Sequence, residues 1–154
     1  MKKILIVIDM QNDFIDGALG TPEAVFDTMD THGPDYLSTL EGRMLPVEHC
    51  IRGTEGWNIR PEIAALLPEA NIFEKPTFGS TALAKAVGRI KGLEQIELVG
   101  LCTDICVVSN ALLLKAFLPE VAICVDARCC AGVTPETHRA ALETMRCCQI
   151  GIVP

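Results

Sequence analysis

"LVGLCTDICVVSNALLLKAF", residues 98–117, runs from an apolar stretch through a glycine into a helix-like segment, and carries two cysteines four positions apart, Cys102 and Cys106. A short β-rich run followed at once by a helix is half of a βαβ unit, which calls for a parallel sheet covered by helices. The rest of the chain repeats the alternation. "KKILIVI" (2–8), "AVFDTM" (24–29), "NIFEKP" (71–76), "IELVG" (96–100), "VAICVDA" (121–127) and "QIGIV" (149–153) read as strands, with helices over about 80–91, 103–118 and 135–147. The last helix has its start written out: Thr134 as N-cap, Pro135 at the first helical position, Glu136 in the first turn. The expectation is a three-layer α/β/α fold with a mainly parallel, Rossmann-like central sheet of about six strands, formed as one domain across residues 1–154.

Hydrophobic residues make up 49% of the chain and charged residues 21%, more apolar than a soluble surface requires, so a fully covered sheet or a homo-oligomeric interface is expected. A net charge of -7 without any basic run argues against nucleic acid or an anionic membrane as partner. In the opening "MKKILIVIDMQNDF", Asp9 interrupts the apolar run too early for a signal sequence or a membrane span, which gives a cytoplasmic expectation. There are eight cysteines and no CxxC pair, so free thiols, most of them small buried hydrophobes, are expected rather than disulfides or a zinc–cysteine site. One segment resists the pattern. A parallel crossover needs a dozen or more residues and usually a helix, yet "DMQNDFIDGALGTPE" (9–23) reads as loop, and a helix expected after about residue 23 is missing.

In an open α/β sheet, ligands bind outside the carboxyl ends of the strands. Asp9 follows the first strand, Asp30 and His32 the second, Lys75 closes the third, and Cys102 and Cys106 follow the fourth. With Thr103 or Asp104 as cap, Cys106 falls in the first helical turn, where free N–H groups and the dipole favour a thiolate. Cys102 sits in the elbow and can offer its backbone N–H to an oxyanion. Both are equally readable as inert core thiols from this stretch alone. A carboxylate beside a thiol raises both pKa values and an added ammonium restores a charged or proton-sharing state, so Cys106, Asp9 and Lys75 make a coherent group. Singly, Asp9 as a loop cap and Lys75 as a solvated strand end are the simpler readings; their joint placement shifts the balance. "DTHGPDYLSTLEGRMLPVEHC" (30–50) supplies Asp30, His32, Glu41 and His49, a donor set suited to Zn, Fe or Mn. His138, on the polar side of the last helix, reads as a surface or interface histidine.

"VIDMQNDFIDGALG", "TMDTH", "LPVEHCIRGTEGW", "EKPTFGSTAL" and "VGLCTDICV" together resemble the isochorismatase-like cysteine hydrolases, in particular the nicotinamidase/pyrazinamidase branch, over nearly the whole chain. The resemblance implies a catalytic triad of Asp9, Lys75 and Cys106 and an oxyanion hole from the backbone N–H groups of Cys102 and Cys106. It also implies a cis peptide between Leu101 and Cys102, and one divalent metal, zinc before iron or manganese, on Asp30, His32, Glu41 and His49, with Glu41 in place of a third histidine. The implied reaction converts nicotinamide or a related small carboxamide to the acid and ammonia through a thioester. The family's long helix between the "NDF" loop and the "DTH" strand is lacking here, which would bare one sheet face. The aromatic that relatives often carry three residues before the last metal histidine is Pro46, leaving Phe14, Leu19 or Phe78 to wall the substrate pocket.

Three other readings are weighed. An isochorismatase-type vinyl-ether hydrolase would share the fold without a nucleophilic cysteine. A metal-independent carbamoyl or ureido amidase would not need His32, Glu41 and His49 together. A metal-binding or thiol-sensing scaffold leaves Asp9 and Lys75 unexplained.

Overall fold

The computed structural model describes residues 2–11, 25–67 and 71–154. Its elements are β1 (Lys2–Ile8), β2 (Val25–Asp30), α1 (Leu40–Met44), α2 (Pro61–Ala64), β3 (Ile72–Lys75), α3 (Thr81–Val87), β4 (Leu93–Leu101), α4 (Val108–Phe117), β5 (Ala122–Ala131), α5 (Pro135–Cys147) and β6 (Gly151–Val153). The six strands form one sheet in the order β3-β2-β1-β4-β5-β6 with every pairing parallel. The chain therefore reverses its direction of travel between β1 and β4, and this switch point is where a crevice opens at the carboxyl edge.

Alternation along the strands feeds two cores. Ile4, Ile6 and Ile8 of β1 join Ile96, Leu98, Ile123 and Val125 under α3, α4 and α5, whose Leu83, Ala84, Val87, Ala111, Leu114 and Met145 close that face. Val7 and Met29 point to the other face, where Ile59, Ile63 and Leu67 cover them. Farther across the second face Gln95, Glu97 and Cys124 are only half-buried. β1 and β2 do pair in parallel, Leu5 with Val25 through Ile8 with Thr28, so the crossover is real. The segment 12–24 that makes it, and with it the expected gap after residue 23, lies outside the described residues.

Element ends differ from the expectations in instructive ways. α3 stops at Val87 rather than continuing to 91: Gly88 is its C-cap, and beyond it Arg89 N and Ile90 N bond three residues back, to Ala86 O and Val87 O. The helix expected over 103–118 opens instead as a π turn, Thr103–Val107, in which Val107 N donates to Cys102 O, before α4 begins. Thr103 and Asp104 do not cap it: the N-cap is Cys102, without a side-chain bond. α5 starts as read, with Thr134 and Thr137 completing a reciprocal capping box. No helix among the described residues is long and apolar enough to cross a membrane.

Candidate active site

Two close approaches build the crevice. Gly100 has φ 116, and a Cβ there would lie 2.1 Å from Ile8 O, so only glycine lets the end of β4 press against the end of β1. This closes the elbow at Cys102 over Asp9, which itself leaves β1 at φ 49. Gly42 works likewise: a Cβ would lie 2.0 Å from Tyr36 O, so its absence seats α1 on the turn at Tyr36–Ser38 and fixes Glu41.

The register Asp30↔Lys75 and Ile8↔Thr28 brings the strand-end polar groups level. Lys75, 1% exposed, points its Nζ at Asp9 Oδ2 (2.7 Å), Asp30 Oδ1 (3.2 Å) and Cys106 Sγ (3.3 Å). The ammonium thus pairs with the Asp9 carboxylate and donates hydrogen bonds to Asp30 and Cys106. Asp9 Oδ1 accepts from Thr28 Oγ1 at 2.7 Å. The Leu101–Cys102 peptide is cis. Asn110, one turn along from the nucleophile candidate, donates to Cys106 O and Phe78 O and accepts from Ser80 N, tying α4 to the start of α3.

Burial, then Asp9, pushes the Cys106 thiol far above its ordinary range, with the Lys75 charge acting against them. Burial also raises Asp9, opposed by Lys75, while the Lys75 ammonium is held up by Asp9, Cys106 and Asp30 against its own burial. Two carboxylates already share one ammonium, and a thiolate would add a third negative charge. The resting sulfur is therefore a thiol, not the dipole-stabilised thiolate expected from its place in the first turn. Cys102, pushed up to about 11 by burial and then by Asp104 and Asp9, also stays protonated.

Asp30, His32, Glu41 and His49 converge beside this group, one donor atom from each lying within 4.8 Å of the others. His32 Nε2 is 3.1 Å from Asp30 Oδ2 and 3.6 Å from Glu41 Oε1; His49 Nε2 is 3.6 Å and 4.0 Å from the same two atoms. Tetrahedral ligands at zinc bond lengths stand about 3.3–3.4 Å apart, so the four residues fit such an ion. His49 Nδ1 is 2.8 Å from Val47 O, a contact that leaves Nε2 as the ring nitrogen facing the cluster, protonated toward Asp30 without a metal and able to offer its lone pair to one. Burial acts to raise Asp30, but the His49 hydrogen bond and the charges of Lys75 and His32 outweigh it and hold its carboxyl low.

Of the pocket candidates, Phe14 and Leu19 lie outside the described residues and Phe78 is 41% exposed; Pro46, where relatives often carry an aromatic, is exposed too. His138 is not simply a surface group: it is half-buried, with Nδ1 2.8 Å from Thr103 Oγ1. Gln11 was not among the candidates, yet it is fully buried; its Oε1 accepts from Asp30 N and its Nε2 donates to Asp30 O and Trp57 O. The available signal was an amide two positions beyond Asp9 in a segment otherwise read as loop.

A parallel α/β sheet with a Cys-Asp-Lys cluster at its switch point and a histidine–carboxylate cluster beside it defines the class. The chain belongs to the isochorismatase family, whose domain model matches residues 3–153. It is 26% identical to the nicotinamidase/pyrazinamidase of Mycobacterium tuberculosis over 184 aligned positions, covering 98% of each chain. Those 184 positions exceed this chain's 154 residues, so the relative carries residues for which this chain has no counterpart. Among solved structures it is similar to the nicotinamidase/pyrazinamidase PncA of Bacillus subtilis (TM-score 0.79, 27% identity, 100% of both chains). It is also similar to the pyrazinamidase of Pyrococcus horikoshii in complex with zinc (TM-score 0.73, 26% identity, 98% of both).

Proposed function

We propose that the protein is a cysteine amidohydrolase that converts nicotinamide or a related small carboxamide to the acid and ammonia. The observation that carries this reading is the three-way contact of Lys75 Nζ with Asp9, Asp30 and Cys106. The thiol proton passes to Asp9 as Cys106 Sγ attacks the carboxamide carbon. Lys75 holds Asp9 oriented and offsets the negative charge that migrates between the sulfur and the carboxylate. The oxyanion is received by the backbone N–H groups of Cys102 and Cys106. Collapse breaks the C–N bond, Asp9 returns the proton to the departing nitrogen, and ammonia leaves a thioester on Cys106. Water then attacks the thioester, giving a proton to Asp9; the C–S bond breaks, the sulfur is reprotonated, and the acid is released.

Asp30, His32, Glu41 and His49 would hold one divalent metal, zinc in the first instance. When bound, it supplies Lewis acidity and an anchor for a neutral donor such as a pyridine nitrogen.

The experiment is an ammonia-release panel of nicotinamide, pyrazinamide, a carbamoyl compound and aliphatic amides, with and without chelator. Turnover of the pyridine and pyrazine carboxamides that falls on chelation supports the reading. Turnover of the carbamoyl compound alone, indifferent to chelator, would replace it with the metal-independent alternative.

A further inference from the structure

His138 stands outside both clusters, yet it reaches the turn that carries them. Its Nδ1 lies 2.8 Å from Thr103 Oγ1, and Thr103 is fully buried. Thr103 is the first residue of the π turn, follows Cys102 directly and precedes Cys106 by three. Along the same seam the Asp104 carboxylate accepts from Val133 N at 3.1 and 3.2 Å. The turn has no side-chain N-cap of its own; besides the Lys75 contact with Cys106, these bonds to α5 and the corner before it are polar ties that fix it from outside. Of the two, only the histidine contact reaches a residue adjacent to Cys102.

A buried threonine hydroxyl needs a partner. Within the turn, Cys102 O is already taken by Ile105 N and Val107 N. Without the imidazole, the Thr103 side chain would seek another acceptor by rotating, and the peptide that carries the Cys102 N–H would shift with it. A donor displaced by a few tenths of an ångström from a developing oxyanion loses much of its value.

We propose that His138 is a positioning residue that, through Thr103, sets the orientation of the Cys102–Cys106 turn for oxyanion binding and nucleophilic attack. The proposal rests on the amidase reading above. Its effect falls on the chemical step and not on substrate capture, since His138 touches neither the metal cluster nor Lys75 among the described contacts.

The test is a cycle of His138→Ala, Thr103→Val and the double variant, with His138→Asn as the conservative replacement, assayed for kcat and KM on the best amide of the panel. His138→Ala is expected to lower kcat about 10- to 100-fold with KM within about twofold. Thr103→Val should match it, the double variant should be no slower than either single one, and Asn, whose amide oxygen can accept near the Nδ1 position, should restore most of the rate. An unchanged kcat in His138→Ala, multiplicative losses in the double variant, or an equal rise in KM would each overturn the proposal. If His138→Ala does not fold, Thr103→Val against Thr103→Ser makes the same comparison, with Ser expected to keep the rate. Failure of the wild type on every amide would instead strike the amidase reading. The rate at which iodoacetamide labels Cys106, read by peptide mass, then decides the positioning claim: His138→Ala must change it and Asn must restore it, and equal labelling in all three proteins overturns the claim.

Discussion

Asp30 belongs to both clusters: its Oδ1 lies 3.2 Å from Lys75 Nζ, and its Oδ2 lies 3.1 Å from His32 Nε2 and 3.6 Å from His49 Nε2. One carboxylate thus contributes to the field at Cys106 and would supply a donor to a metal held by the histidines. Among the described ion pairs, Glu41 meets the two histidines and not Lys75. Asp30→Asn is therefore expected to lower zinc affinity about 10- to 100-fold, in the range seen when a metal site loses a supporting group, and to slow ammonia release even at saturating zinc. Glu41→Gln should weaken zinc to a similar degree while saturating zinc restores most of the rate. Zinc titration followed by metal analysis and ammonia assay separates the two; identical behaviour would contradict the shared role of Asp30.

Asp27 carries a pH dependence of its own. It is fully buried, and among the described residues neither carboxylate oxygen has a side-chain hydrogen-bond partner. Burial, then the Asp9 charge, raises its pKa well above the ordinary carboxylate value. The unfolded chain then releases this proton at lower pH than the folded one, so stability is greatest below the unfolded pKa of about 4 and declines as pH rises toward the folded value. Relative to Asp27→Asn, the wild type should lose up to about 1.4 kcal/mol per pH unit in that window. Urea unfolding of both proteins from pH 4 to pH 8 measures this; parallel curves would contradict it.

Asn110 offers a structural prediction. It is 1% exposed and its amide makes three hydrogen bonds, to Ser80 N, Phe78 O and Cys106 O. Asn110→Ala leaves buried backbone groups unpaired and should cost about 1–3 kcal/mol in urea unfolding. A loss near zero would mean that the loop before α3 and the nucleophile turn are not joined through this side chain.

The sequence made the sheet and its carboxyl-edge residues legible, because Asp9, Asp30, Lys75 and Cys102 each fall where an apolar run ends. It could not show that Asp30 meets Lys75, since that contact depends on β2 lying between β1 and β3 and on the register that pairs the two residues. The π turn was hidden for a different reason: hydrophobic spacing over five residues does not distinguish it from the α-helix that follows. Thr103 and His138 are 35 positions apart, and Asp27 reads as one more strand residue until its burial is seen. In each case tertiary placement, not local propensity, created the interaction.

The central claim is that Cys106 carries the acyl group. Wild-type protein mixed with one equivalent of nicotinamide, quenched in acid within a single turnover and digested, should yield the Cys106 peptide with an added nicotinoyl mass that disappears as the acid accumulates. Accumulation of acid and ammonia at the wild-type rate by Cys106→Ala, with no acyl group on any Cys106 peptide of the wild type, would contradict the account.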